Sequence, residues 1–233
     1  MEKLIYTLWK SDAQSPEAFK ADLLGEVSRD LLQRGARKLR VSVVDDAVAP
    51  AAALRQINSI PAVDAVVSLW VDTALYRRPY EEVLQSASAR VAGYLVTESE
   101  AIVNTTHPAR DGERVTGMMQ IVFLTRPPRL SYAHWRDLWV DDHTPVGVET
   151  QANFGYRQNI VVRRLTYGAP ACDGIVEENF PAAAMTSPHA FYDAAGDEAK
   201  YRARLQRMME SCHRFIDFDK IDVIIASEYV IKG

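Results

Sequence analysis

The order of predicted elements repeats at a spacing near half the chain, and such a repeat limits the fold more than any single motif. The first half opens with an apolar run over residues 4–9, then a polar loop, then Ser15-Pro16-Glu17. Serine is a favoured N-cap and proline a favoured first helical residue, so a helix starts there. The second half opens with an apolar run over 118–124, the stiff loop Arg126-Pro127-Pro128-Arg129, and then Ser131. Four residues beyond each serine stands an aromatic, Phe19 or Trp135, and four further stand Leu23 and Trp139. Each set forms one helical stripe. Downstream, residues 39–44 match 156–165 as strands, and residues 64–67 match 173–176. Each half then places a helix, with apolar positions at Tyr80, Val83, Leu84, Ala87 and Val91, and at Tyr201, Leu205, Met208, Cys212 and Phe215. Last strands at 99–103 and 227–231 close the halves.

A βαββαβ order is that of the ferredoxin-like split βαβ unit, a four-stranded antiparallel sheet with both helices on one face. The strands are apolar at both alternating sets of positions, as at Ile5, Leu8 and Trp9 or Ile121, Val122, Phe123 and Leu124. The second face therefore needs cover too, and two such sheets can cover each other. The expected fold is α+β: two tandem ferredoxin-like units forming an intrachain dimeric α/β-barrel with an apolar lumen. The halves span residues 1–104 and 118–233, joined by the polar linker 105–117 with its Pro108 and Gly112. The alternative is two independent domains that each pair with another chain. An intrachain barrel is also free to form a homodimer.

Composition narrows the function classes. The chain of 233 residues is 48% hydrophobic and 25% charged, as in ordinary globular proteins, which sets disorder aside. A net charge of −4 gives no electrostatic footprint for nucleic acid or an anionic membrane. Cys172 and Cys212 cannot build a disulfide framework, no signal-peptide core is visible, and no apolar run approaches the roughly 20 residues that span a bilayer. The expectation is a cytoplasmic protein.

Of five histidines, His107, His134, His189 and His213 read as linker, surface, turn and helix-end residues. His143 differs, because it continues the Trp135/Trp139 stripe just before Pro145, which is expected to end the helix. A buried imidazole must find a partner or face a cavity. Its counterpart in the first half is Val27, so the fold does not require histidine there. Asp141 and Asp142 are placed to orient it or raise its pKa. Near neutral pH such a histidine acts as general base and general acid without a metal. A second group is Gly155-Tyr156-Arg157-Gln158-Asn159, which opens an otherwise apolar strand. Alternation puts Tyr156 and Gln158 on one face, Arg157 and Asn159 on the other. Either pair can hydrogen-bond a carbonyl or stabilise an enolate or phenolate. Aromatics such as Tyr6, Trp9, Phe123 and Trp139 are core residues of which two or three would line a pocket, making the ligand an aromatic small molecule. No dinucleotide, P-loop, nucleophile-elbow or zinc-binding motif occurs, and Asp141, Asp142 and His143 do not complete a metal set. No cofactor is expected.

Residues 131–145, an aromatic followed by W-x-x-x-H-x-P, resemble the EthD-domain signature, and Tyr156-Arg157-Gln158-Asn159 resembles its usual Tyr-x-x-Asn sequel. The similarity covers about residues 118–231 and is a degenerate echo over 1–104. EthD domains belong to the dimeric α/β-barrel superfamily, so the resemblance implies the same barrel. It implies cofactor-independent dehydratase, decarboxylase or cyclase chemistry on aromatic compounds. His143 would be the acid/base, with Tyr156 and Asn159 orienting substrate and Trp139, Arg157, Tyr6, Trp9 and Phe123 lining its site. Haem-binding barrels of the superfamily also use a histidine, but their companion motifs are missing. The expected function is a cofactor-independent lyase that eliminates water, carbon dioxide or formaldehyde from a phenolic molecule. The alternatives are isomerase or cyclase chemistry, a cofactor-free monooxygenase, or a non-catalytic aromatic-ligand-binding protein.

Overall fold

Strands that are apolar on both faces need cover on both sides, and the chain supplies it by closing its sheet on itself. In the computed structural model, which describes residues 1–233, the first round runs β1 (Glu2–Trp9), α1 (Pro16–Asp22), a π-helical segment (Leu23–Val27), α2 (Ser28–Gln33), β2 (Arg37–Val43), a 3-10 stretch (Asp46–Leu54), β3 (Ala65–Val71), α3 (Arg78–Ala87) and β4 (Arg90–Ile102). After the two-residue β5 (Glu113–Arg114) comes β6 (Met118–Leu124), α4 (Tyr132–Arg136), a second π-helical segment (Asp137–His143), α5 (Thr144–Thr150), β7 (Gly155–Arg164) and β8 (Gly174–Phe180). A 3-10 turn (Ala182–Met185), α6 (Pro188–Phe191), α7 (Glu198–Phe215) and β9 (Asp222–Val230) complete the chain. The sheet order is β2-β3-β1-β4-β7-β8-β6-β9, and β2 pairs with β9 to close it. The result is an α+β structure with an eight-stranded antiparallel barrel and helices packed outside it. The same strand order recurs in both rounds. The seams are β4 against β7, from Tyr94↔Arg164 to Ile102↔Tyr156, and β2 against β9, from Arg40↔Val230 to Val43↔Ser227.

Ser15 and Ser131 cap α1 and α4 as their positions predict, accepting from the amides of Ala18 and His134. Each helix then widens into a π-helical segment at the equivalent place, one ending on Val27 and the other on His143. Pro145 does not end the second helix, contrary to the sequence expectation. The π segment hands over to α5 at that point, so Pro145 sits in a first turn, where its missing N–H is no loss. Val91 likewise belongs to β4, since the backbone is already extended at Ser88.

The outward face of the first half packs Leu4, Tyr6 and Leu8 against Phe19, Leu23 and Leu31. The outward face of the second packs Val122, Val176 and Ile225 against Trp135, Trp139 and Phe215. The lumen is only half apolar, which corrects the expectation. One end holds Ile5, Tyr94, Phe123, Ile175 and Ile224. The other end holds Lys3, Arg157, Glu177 and Glu228, all buried and mutually paired. No helix is long and apolar enough to cross a membrane.

Candidate functional site

A cavity of about 670 Å³ lies outside the barrel, between the outward faces of β6–β9 and the helices of the second half. That volume suits a small organic ligand. Its floor is made by strand alternation. On adjacent strands Tyr156 faces Glu178, and Glu178 faces Gln120, giving a polar row across an otherwise apolar surface. Neighbouring strands lie about 4.8 Å apart. Four residues before Glu178 on β8, Gly174 lies under Trp139, where a Cβ would meet Cη2 and Cζ3 of the indole at 2.5 Å. The roof is helical. His143 ends the π segment half-buried, with Nδ1 2.9 Å from Ser211 Oγ on α7 and its ring 4.7 Å from that of Phe215. The first half closes one wall, because its 3-10 stretch brings Pro50, Ala53 and Leu54 to the cavity.

The titratable groups of this cavity are displaced in opposite directions. Burial pushes His143 down to about 4, so at neutral pH the imidazole is uncharged. Asp141 and Asp142 do not reverse this. Both are exposed, Asp142 pairing with Arg214 and Asp141 lying near Arg136. Burial pushes Glu178 up to about 7, and only neutral amides oppose it: Gln120 Nε2 donates to Oε2 at 3.2 Å and Asn153 Nδ2 to Oε1 at 3.1 Å. Tyr156 is raised by burial and by Glu178, while Gln158 Nε2 donates to its hydroxyl at 3.0 Å. A neutral imidazole and a carboxyl poised near neutrality thus share one largely apolar cavity, the arrangement by which general acids and bases are told apart.

Glu178 also burdens the fold. Its unfolded carboxyl ionises near 4.5 and its folded one near 7, so the stabilising contribution is full below the unfolded value and lost as pH rises through the folded one. At pH 8 the ionised side chain therefore costs up to about 3 kcal/mol. Glu178→Gln is expected to raise stability at pH 8 by up to that amount, with the gain fading as pH falls toward 4.5. Urea unfolding of both proteins at the two pH values checks this. His143 loses stability in the opposite sense as pH drops from 6.5 toward 4, but it is present in both proteins and cancels.

Of the residues named from sequence, His143, Tyr156 and Trp139 line the cavity together. The others are not brought there. Asn159 and Arg157 point into the lumen, where Asn159 Nδ2 donates to Glu177 at 3.0 Å and Arg157 pairs with Glu177 and Glu228. Phe123 fills the lumen beside Tyr94. Trp9 closes the lumen's end, its indole N–H donating to Pro61 O at 3.2 Å. Tyr6 is buried in the first half's outer layer, its hydroxyl donating to Glu81 at 3.3 Å. The reason is alternation: with both strand faces covered, only the face under the helices meets the cavity. Glu178, Gln120 and Ser211 were missed. Glu178 had a readable signal, an acidic residue at the helix-facing register of a strand whose other residues are buried.

No family model matches the sequence, and no curated protein does. Among solved structures the chain is similar to an anthrone oxidase-like protein at 9% identity and a TM-score of 0.53, covering 100% of this chain and 94% of that one. It is also similar to a mutant chlorite dismutase from Candidatus Nitrospira defluvii at 9% identity and a TM-score of 0.50, covering 99% of this chain and 92% of that one. The fold is that of the dimeric α/β-barrel proteins. In this α/β-barrel the cavity lining includes no lysine or arginine. A haem would find no cation in this lining for its carboxylates and a buried carboxyl already there, so the lining does not fit it. Nor do three His, Cys, Asp or Glu side chains converge as a metal set.

Proposed function

We propose that this protein is an enzyme, a cofactor-independent lyase that eliminates a small neutral molecule from an aromatic or phenolic substrate in the cavity of its second half. The observation that carries the reading is the shared placement of His143 and Glu178 in one apolar space, displaced in opposite directions. In the tautomer whose Nδ1–H donates to Ser211 Oγ, the other ring nitrogen of neutral His143 has a free lone pair. It takes a proton from carbon or from a phenol. Glu178, in its protonated form, gives a proton to the departing hydroxyl. The electrons of the broken C–H or O–H bond form the new double bond as water leaves, so protons and charge balance. The Tyr156 hydroxyl hydrogen-bonds the developing oxyanion. We also read residues 1–104 and 118–233 as tandem ferredoxin-like units with 105–117 as linker. The repeated strand order and the paired π segments support this. The names of the solved structures similar in fold, an oxidase-like protein and a dismutase, support an enzyme in general. The oxidase-like one also favours a second reading, a cofactor-free monooxygenase in the same cavity.

The test is a screen of phenolic compounds followed by mass change without added cofactor. Loss of water, carbon dioxide or formaldehyde supports the lyase, oxygen uptake the monooxygenase, and conversion at constant mass an isomerase. His143→Ala is expected to lower kcat by about 10²–10⁴ while shifting ligand binding by no more than about 1 kcal/mol. Turnover at the normal rate in that variant would remove His143 from the mechanism.

A further inference from the structure

We infer that the cavity selects uncharged, hydroxyl-bearing aromatic molecules and turns away carboxylates and phosphates, with Glu178 receiving the ligand's hydroxyl. The inference rests on this cavity being the site proposed above, but it concerns binding and does not need turnover. Glu178 is 7% exposed and lines the cavity, yet its only hydrogen-bond partners are the amides of Gln120 and Asn153. The titratable groups that face the cavity with it are Tyr156 from β7, His143 from the π segment, Tyr192 after α6 and Cys212 from α7. None of them supplies positive charge at neutral pH, since His143 is held uncharged and the others are acids in their neutral form. The buried cations of the chain lie on the opposite face of the sheet, where Lys3 and Arg157 are engaged by Glu98, Glu177 and Glu228. Arg207, on α7, is turned outward to Glu149.

A ligand carboxylate entering this space would bring a second anion beside Glu178, and one of the two would have to take up a proton. A hydroxyl instead donates to the carboxylate and removes its deficit. An ammonium brings three N–H donors and a full charge to desolvate, and beyond Glu178 the lining offers it mostly apolar side chains. Most of the rest of the lining is apolar, including the flat rings of Trp139, Phe191, Phe215 and Phe218. Among the eliminations open to the proposed lyase, loss of carbon dioxide requires a substrate carboxylate. The lining therefore favours loss of water or formaldehyde from a hydroxylated side chain.

The test measures binding of 2-naphthylmethanol, 2-naphthoate and 2-naphthylmethylamine by calorimetry near pH 8.5 and near pH 6. The alcohol is expected to bind, with naphthoate at least about tenfold weaker near pH 8.5. In wild-type protein that gap should narrow near pH 6, where Glu178 takes up its proton while naphthoate remains ionised. In Glu178→Gln it should shrink to about threefold or less at both pH values. The wild-type pH series reads the same charge without a substitution, should the variant fold poorly. Naphthoate binding as tightly as the alcohol near pH 8.5 would overturn the inference. So would a gap that ignores both pH and the variant, tightest binding of the amine, or no binding of any of the three. An inactive protein with the expected pattern would sink the lyase and keep this inference. Turnover of an aromatic carboxylate would do the reverse.

Discussion

Arg157→Met is expected to cost about 3–5 kcal/mol of unfolding free energy near neutral pH, the usual loss when one partner leaves a buried ion network. The guanidinium reaches Glu228 Oε1 at 2.6 Å and Glu177 Oε2 at 3.4 Å. Lys3 Nζ lies 2.5 Å from both Glu177 and Glu98, and Arg40 lies 3.2 Å from Glu228. Three cations thus balance three carboxylates at one end of the closed barrel, with Arg40 and Glu98 partly exposed and the other four buried. Burial alone would raise the carboxyl of Glu177, but Lys3 and Arg157 outweigh it and hold it well below the usual range. Glu228 is lowered against the same burial, by Arg157 and Arg40. Without Arg157 one negative charge is uncompensated, so Glu177 or Glu228 is driven to bind a proton. Both carboxyls are depressed in the wild type, so their contribution is present above the normal carboxylate pKa and lost as pH falls below it. The gap between variant and wild type should therefore narrow on acidification, as the variant's uncompensated carboxyl takes up its proton and then, below about 4.5, as the wild type's own contribution is lost, read from urea unfolding near pH 7, pH 5 and pH 3. A loss under about 1 kcal/mol at neutral pH would contradict the account, because it is the size expected of an exposed pair. Folded variant should bind cavity ligands normally, since Arg157 faces the lumen.

Gly174→Ala is expected to remove ligand binding and turnover while costing about 1–3 kcal/mol of stability, the range for overpacking a filled core. The new methyl would lie 2.5 Å from Trp139 and 3.3 Å from Trp135, whose rings pack with centroids 5.0 Å apart. Two indoles packed against each other at a tilt of 42° in a filled core cannot give by a rotamer flip, so Trp139 is pushed into the cavity. Near-UV circular dichroism follows the indole and calorimetry follows the ligand. Gly93→Ala is the matched control, because its methyl would meet the Tyr6 ring at 2.5 Å in the first half's outer layer, away from the cavity. It should lose comparable stability and keep binding. If Gly174→Ala binds ligand normally, Trp139 does not form the site.

Much of this architecture is readable from residue spacing. Ser15 and Ser131, Phe19 and Trp135, and Val27 and His143 mark equivalent helical places, and strands apolar on both faces demand a closed sheet. What sequence spacing cannot show is which covered face holds a void. Arg157 and Tyr156 are neighbours in sequence, yet one is bonded inside the barrel and the other lines the cavity. The same ambiguity hides Glu177 and Glu178. The first meets Lys3, which is 174 positions away in sequence, and the second meets only amides. A charge balanced over that distance leaves no local pattern. The π-helical widening was equally silent, so Pro145 looked like a terminator.

The 3-10 stretch Asp46–Leu54 belongs to the half with valine at the histidine's place, yet Pro50, Ala53 and Leu54 border the cavity of the other half. Gln56, just beyond, clamps onto Val223 through a pair of backbone hydrogen bonds of 3.1 and 2.9 Å. Part of the cavity wall and the groups proposed to move protons therefore lie on stretches of gene roughly a hundred codons apart. Substitutions in the first half can reshape that wall without touching His143 or Glu178. On the proposed function, a lineage of such proteins can change its ligands while keeping its proton-transfer groups.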